Sequence, residues 1–266
     1  MTMSNRLPTR DIPHGEIGVG SKLIPLFKAI IATLPILLMA FTSACAGFDA
    51  SVLDSAECLG KGNISTGVVY AMGVQAPEWI EIDPENIFDS DSAALLQALD
   101  VRYGLQDDID ASVRLTAHDS GWSGKVLLKK QLNKTDKATT AVVIGGGYLW
   151  ANGGYWRESE IDWDRIDSKL LSGEIQFLIT RQLSRSSFAT IAARGNFHQF
   201  DYEYMIQTES QDFYHAGLRL NLGRNYGGFL MMIELGLEAP LSAGEITSVY
   251  PWAGYKMAWN WNTKKK

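Results

Sequence analysis

Tyr-His-Ala-Gly-Leu-Arg-Leu-Asn-Leu-Gly, residues 214 to 223, decides how this chain folds. Tyr214, Ala216, Leu218, Leu220 and Leu222 fall on one face of an extended chain, and His215, Gly217, Arg219, Asn221 and Gly223 on the other. Successive side chains of a strand point to opposite faces, so this segment is apolar on one side and polar or ionic on the other. The next segment repeats the pattern: Phe229, Met231, Ile233, Leu235 and Leu237 oppose Gly228, Leu230, Met232, Glu234 and Gly236. Upstream, Leu99, Val101, Tyr103 and Leu105 oppose Asp100, Arg102 and Gly104, and Ala111, Val113, Leu115 and Ala117 oppose Ser112, Arg114, Thr116 and His118. A first strand over 63–74 sets bulky Ile64, Val68, Tyr70 and Met72 against small Ser65, Gly67, Ala71 and Gly73. Period-two segments at 126–132, 141–150, 175–183, 188–197 and 249–261 bring the expected total to ten strands. Apart from a turn of helix at 92–98, no stretch sustains an apolar 3.6 period, so the chain is predicted to be all-β.

Strand length and loop length then choose among β architectures. Several segments reach roughly 9 to 11 residues, the length a tilted strand needs to cross a bilayer, against a usual 5 to 6 in soluble sheets. Short turns fall at 106–110, 133–137, 184–187 and 224–227, whereas long polar loops occupy 75–92, 151–173, 199–213 and 238–247; only 119–124 is short in the second set. Short turns at one end and long loops at the other mark an up-and-down antiparallel transmembrane β-barrel. Closure removes the sheet edges that lipid would leave unsatisfied. Ten strands are expected, with eight or twelve as alternatives. Tyr148, Trp150, Tyr214, Tyr250, Trp252, Trp259 and Trp261 lie near strand ends, where amphipathic rings suit the headgroup level.

The rest of the 266 residues bounds the surroundings. A net charge of −6 argues against a nucleic-acid partner, which needs a basic face to neutralise phosphates. Arg6, Arg10, Lys22 and Lys28 precede an apolar run at 29–41 closed by small residues, the order of a secretory signal peptide. As a helix that run spans roughly 20 Å, short of the roughly 30 Å hydrocarbon core. Residues 1–46 are therefore expected to be a cleaved signal, 47–61 a periplasmic lead-in, 62–261 the barrel and 262–266 a basic tail. At the cleavage boundary Ala44-Cys45-Ala46 fits ordinary signal peptidase, while Thr42-Ser43-Ala44-Cys45 is similar to a lipobox whose cysteine is acylated. Either way Cys58 has no disulfide partner.

Ser55-Ala56-Glu57-Cys58-Leu59-Gly60-Lys61-Gly62, running into the first strand, resembles the lead-in of small outer-membrane β-barrel proteins of Gram-negative bacteria, many of which carry lipoprotein-type signals. Tyr103-Gly104-Leu105, Asp107-Asp108-Ile109-Asp110 and Val113-Arg114-Leu115 are similar to the first periplasmic hairpin of such barrels. The last strand, with Gly254, Tyr255, Met257, Trp259 and Trp261, resembles the C-terminal signal read by the barrel-assembly machinery, although five residues follow it here. The resemblance implies the outer membrane as location, and outer-membrane lipid and the assembly machinery as partners. It carries no ligand and no assigned active site.

Function is read from the inward face. Asp100, Arg102, Arg114, His118, His215, Arg219, Glu234 and Lys256 are expected to point into a narrow lumen and to pair there, because an unpaired ion in a low dielectric costs several kcal/mol. A plug of salt bridges, with a structural or surface-interaction role, is the expectation; a narrow solute or ion conduit is the alternative, since an aqueous channel usually takes about 16 strands. A third reading is a rim hydrolase. His118 and Ser120 share a strand face, as base and nucleophile must, and His118-Asp119-Ser120 is similar to the His-x-Ser of outer-membrane lipid A deacylases, but Gly121-Trp122-Ser123 departs from that pattern. Asp89, Asp91 and the stretch His198 to Asp201 invite comparison with the Asp/Asp and His/Asp pairs of omptin proteases, yet Asp89 and Asp91 sit in a loop rich in acids. No Cys/His cluster suggests a metal. Gly145-Gly146-Gly147 lies within a strand, not before a helix, so no cofactor is expected.

Overall fold

A computed structural model describes residues 51–74, 93–118, 121–152, 167–204, 207–242, 245–246 and 249–261. The strands are β1 (Ile64–Val74), β2 (Ala93–Gln106), β3 (Ile109–His118), β4 (Gly121–Lys134), β5 (Thr139–Asn152), β6 (Asp167–Gln182), β7 (Ser187–Tyr204), β8 (Gln207–Tyr226), β9 (Phe229–Ser242), β10 (Glu245–Ile246) and β11 (Tyr250–Trp261). Each pairs antiparallel with its chain neighbour from β1 to β9; β11 then pairs with β9 on one side and β1 on the other. Among the described residues this closes a ten-stranded up-and-down barrel. β10 only extends the β9 hairpin, with Glu245 opposite Ser242.

Burial follows the period of two. Leu99, Val101, Leu115, Val126, Ile175, Leu218 and Leu235 face outward and are each 47–61 % exposed, whereas Asp100, Arg114, Arg219, Glu234 and Lys256 on the opposite face are no more than 3 % exposed. This inverts a soluble sandwich, in which the apolar face is buried and the charged face wet. The small face of β1, with Ser65, Gly67, Val69 and Ala71, is the buried one. Small inward residues leave room for something else in the lumen.

Several sequence expectations need correction. Tyr250 and Trp252, expected at the headgroup level, are buried on the inward face of β11. The helical turn at 92–98 is strand over its described part, because residues 93–98 pair with 69–74 of β1 and a ladder of main-chain bonds outweighs local Ala/Leu propensity. The expected loop at 199–213 is largely strand as well, since β7 and β8 run on as a hairpin to Tyr204 opposite Gln207. Period-two alternation continues there with polar residues on both faces, so apolarity alone ended the strands too early. The expected loops at 151–173 and 238–247 shorten too, since β5 runs to Asn152, β6 begins at Asp167, β9 runs to Ser242 and β10 covers Glu245–Ile246; residues 75–92 and 153–166 lie outside the described residues.

Candidate functional site

The inward side chains meet a segment of the chain's own amino-terminal part. Residues 51–56 lie inside the ring, with Val52, Leu53 and Ala56 buried. Nearly every group that holds them comes from a different strand. Glu234 of β9 accepts from the N–H groups of Val52 at 3.0 Å and Leu53 at 2.7 Å. Arg114 of β3 donates to the carbonyl and hydroxyl of Ser51 at 3.0 and 2.8 Å. Asn221 of β8 donates to the Asp54 carbonyl at 3.2 Å, and Thr180 of β6 accepts from Ala56 N–H at 2.7 Å. Lys129 of β4 donates to the carbonyls of Ser55 and Glu57 at 3.0 and 2.7 Å. A buried chain outside a sheet has to satisfy its own N–H and C=O groups. Here the wall's side chains do so.

Apolar seats add to this. Val52 and Ala56 pack on Leu127, Ala141, Val143, Leu178 and Ala192, and Leu53 packs on Val69, Ala71, Leu96, Ala98, Met232 and Trp252. Leu53 sits at a φ of 39°, a backbone region that residues other than glycine rarely adopt. The pair of N–H bonds to Glu234 and the side-chain seat hold it there.

Asp54 is the segment's charged anchor. It takes Arg102 at 2.8 Å and Lys129 at 3.2 Å, and Lys129 also lies 3.4 Å from Asp110. Beside it Asp100 bonds both Arg114, at 3.2 Å, and Lys256. Above this layer, toward the long loops, Arg219 joins Glu234 at 3.6 Å and Glu238, while Glu238 also bonds His215. The His215 ring stacks on His198 with centroids 4.6 Å apart and Nε2 atoms 2.5 Å apart. Glu174 takes Arg194 at 2.5 Å and lies 3.7 Å from Lys125.

The structure thus brings Asp100, Arg102, Arg114, His215, Arg219, Glu234 and Lys256 into one connected lumen. Sequence reasoning missed Asp54, Lys125, Lys129, Glu174, Arg194 and Glu238, and named His198 only as part of a loop. Alternation was enough to find Arg194, which shares a face with Thr190, Ala192, Asn196 and His198. No such signal exists for Asp54, which lies on no strand and was placed in a lead-in. His198 to Asp201, expected in a loop, lie on β7. The main chain of His118 pairs with Gly121 at the β3–β4 hairpin, but its side chain, like Ser120, Cys45, Asp89 and Asp91, lies outside the described residues.

At the short-turn end, Cys58 and Leu59 leave the lumen with their N–H groups on Gln131 and Asp110. Partial burial pushes the Cys58 thiol above its usual range. In the β2–β3 turn, a hydrogen bond from Lys130 holds the exposed Asp108 carboxyl below its usual range. Among the described residues no group of His, Cys, Asp and Glu has the arrangement of a metal site.

No family model matches this sequence, and no curated protein does. Solved structures of similar fold do. Neisserial surface protein A is 8 % identical, with 74 % of this chain and 94 % of that chain covered and a TM-score of 0.38. The outer membrane protease OmpT from Escherichia coli is 10 % identical over 77 % of this chain and 98 % of that chain, TM-score 0.41. The N-terminal β-barrel domain of Pseudomonas aeruginosa OprF is 9 % identical over 76 % and 99 %, TM-score 0.34. These likenesses stop at the fold, so what the chain does has to be argued from its own lumen.

Proposed function

We propose that this protein is an outer-membrane barrel of a Gram-negative bacterium whose lumen is closed at rest, and that it serves a structural or surface-interaction role through the long-loop end. The observation that carries this reading is the segment 51–56, bonded to β3, β4, β6, β8 and β9 across the inside of the ring. A chain that satisfies its polar groups on the walls leaves no continuous water column. The outward apolar belt supports the membrane: placing Leu115, Val126, Ile175 and Leu218 in acyl chains removes each from water, at about 25 cal/mol per Å². In this reading the amino-terminal segment exports the chain, Cys45 is either acylated or removed, and the last strand is what the assembly machinery reads.

Membrane fractionation with heat-modifiable gel migration tests the location, and a planar-bilayer recording tests the closed state. The refolded protein is expected in the outer-membrane fraction, to migrate differently before and after boiling, and to give no steady open-channel current. A soluble protein would overturn the membrane assignment; continuous ohmic conductance would overturn the closed lumen.

A further inference from the structure

We propose that the segment 51–56 is the gate of a path for small inorganic anions through this barrel, an activity that rests on the closed-lumen reading above. Space exists on both sides of the segment. At the short-turn end a cavity of about 290 Å³ is bounded by Glu57, Lys134, Asp136, Thr139, Thr180 and Gln182. Toward the long loops a second cavity, of about 40 Å³, is lined by Ser123, Lys125, Ser172, Glu174, Arg194 and His198 among others. β6 shows what divides them: Gln182 and Thr180 line the first cavity, Glu174 and Ser172 the second, and Leu178 between them packs on Val52 and Ala56. The segment fills the gap between two spaces that the walls leave open.

The wall charges set the sign of the permeant ion. Asp54 is the carboxylate that the segment brings to Arg102 and Lys129. With the segment withdrawn, Arg102, Arg114, Lys129 and Lys256 face Asp100 and Asp110, while Glu234 stays beside Arg219, and Lys125 and Arg194 offset Glu174 and Glu238. A narrow passage with that excess attracts anions and repels cations. The width vacated is that of an extended chain, about 5 Å across by the spacing of neighbouring strands, which a small anion such as chloride can use.

The tether allows such a movement. Gly60 and Gly62, at φ of 79° and 81°, flank the point where the chain leaves the lumen, and β1 begins only at Ile64. Rotation at these two residues swings the segment while β1 from Ile64 stays paired, and it breaks the bonds of Gly62 N–H to Gly104 and of Leu59 N–H to Asp110. The apolar seats of Val52, Leu53 and Ala56 keep it in place at rest.

Planar-bilayer recordings in a chloride gradient compare the full chain with Leu53→Glu, which cannot be seated among Val69, Leu96 and Met232, with Asp54→Asn, and with a deletion of 51–56. Heat-modifiable migration identifies the variants that fold. The wild type is expected to show only brief openings. The folded variants are expected to open at least about tenfold more often, with the same unitary conductance and a reversal potential displaced toward that of chloride. Folded variants that stay silent or select cations overturn the proposal, as does a wild type that never opens while the variants conduct, which would make the segment a fixed filler. Continuous wild-type current overturns the closed-lumen reading instead.

Discussion

Glu234 shows how much one residue carries here. Its carboxylate accepts from two main-chain N–H groups of the inner segment and faces Arg219, and it is fully buried. Glu234→Ala leaves all three donors without that acceptor, and breaking a buried charge pair costs roughly 3 to 5 kcal/mol. Urea unfolding in lipid vesicles is expected to show a loss of that order, and a smaller one for Glu234→Gln, which keeps an acceptor oxygen; no loss in the alanine variant would mean that the carboxylate does not hold the segment. Cys58 gives a local readout at the rim. Because burial raises its thiol pKa, less thiolate is present at neutral pH. Maleimide labelling of the folded protein is expected to be slower than that of the urea-unfolded chain; equal rates would place Cys58 free in solvent.

At the scale of elements, the place where the inner segment becomes β1 depends on a close approach of two backbones. Gly62 N–H donates to the Gly104 carbonyl at 2.8 Å, and Gly104 N–H donates to that of Asn63 at 2.9 Å. A Cβ on Gly104 would lie 2.0 Å from the Gly60 carbonyl oxygen. Backbone cannot turn aside as a side chain can, so Gly104→Ala pushes the lead-in off β2. Overpacking of this kind costs about 1 to 3 kcal/mol. The variant is expected to lose that much stability and to label faster at Cys58, while Gly173→Ala, which meets nothing within 4 Å, serves as a control. In the β2–β3 turn, the Lys130 bond keeps Asp108 ionised below its ordinary range. A carboxyl with a lowered folded pKa adds stability above its unfolded value and loses it as pH falls through the folded one. In an NMR titration Asp108 is therefore expected to protonate below 3.8, and Lys130→Met is expected to abolish the difference.

For the whole molecule, inside and outside are exchanged relative to a soluble protein, and tryptophans report which is which. Trp122 and Trp261 are each 52 % exposed on the outer surface, while Trp252 is 3 % exposed and lies under Arg219, whose guanidinium carbon is 5.3 Å from its ring centroid. In vesicles containing brominated lipid, variants that keep only Trp122 or only Trp261 are expected to be quenched strongly, and one that keeps only Trp252 weakly. The opposite ranking would reject an apolar face in contact with lipid. Much of this arrangement was legible from residues such as Leu99 against Asp100 and Leu218 against Arg219, because a strand's period of two makes the two faces explicit. The ends of β7 and β8 were not, since beyond Phe197 the set of positions that carried Ile191 and Phe197 continues with polar Gln199, Asp201 and Glu203.

The sequence by itself determined the all-β architecture, the expected strand number, and which face of each strand carries charge, because these are properties of short-range periodicity along one chain. Which charges meet, and what they meet, was decided only by closing the sheet. Lys256 and Asp100 are paired although 156 residues separate them, and Glu234 holds Val52 across 182. The inner segment was invisible for the same reason: Ser51 to Ala56 have no period of their own, and their place depends on partners from strands that become neighbours only when β11 returns to β1.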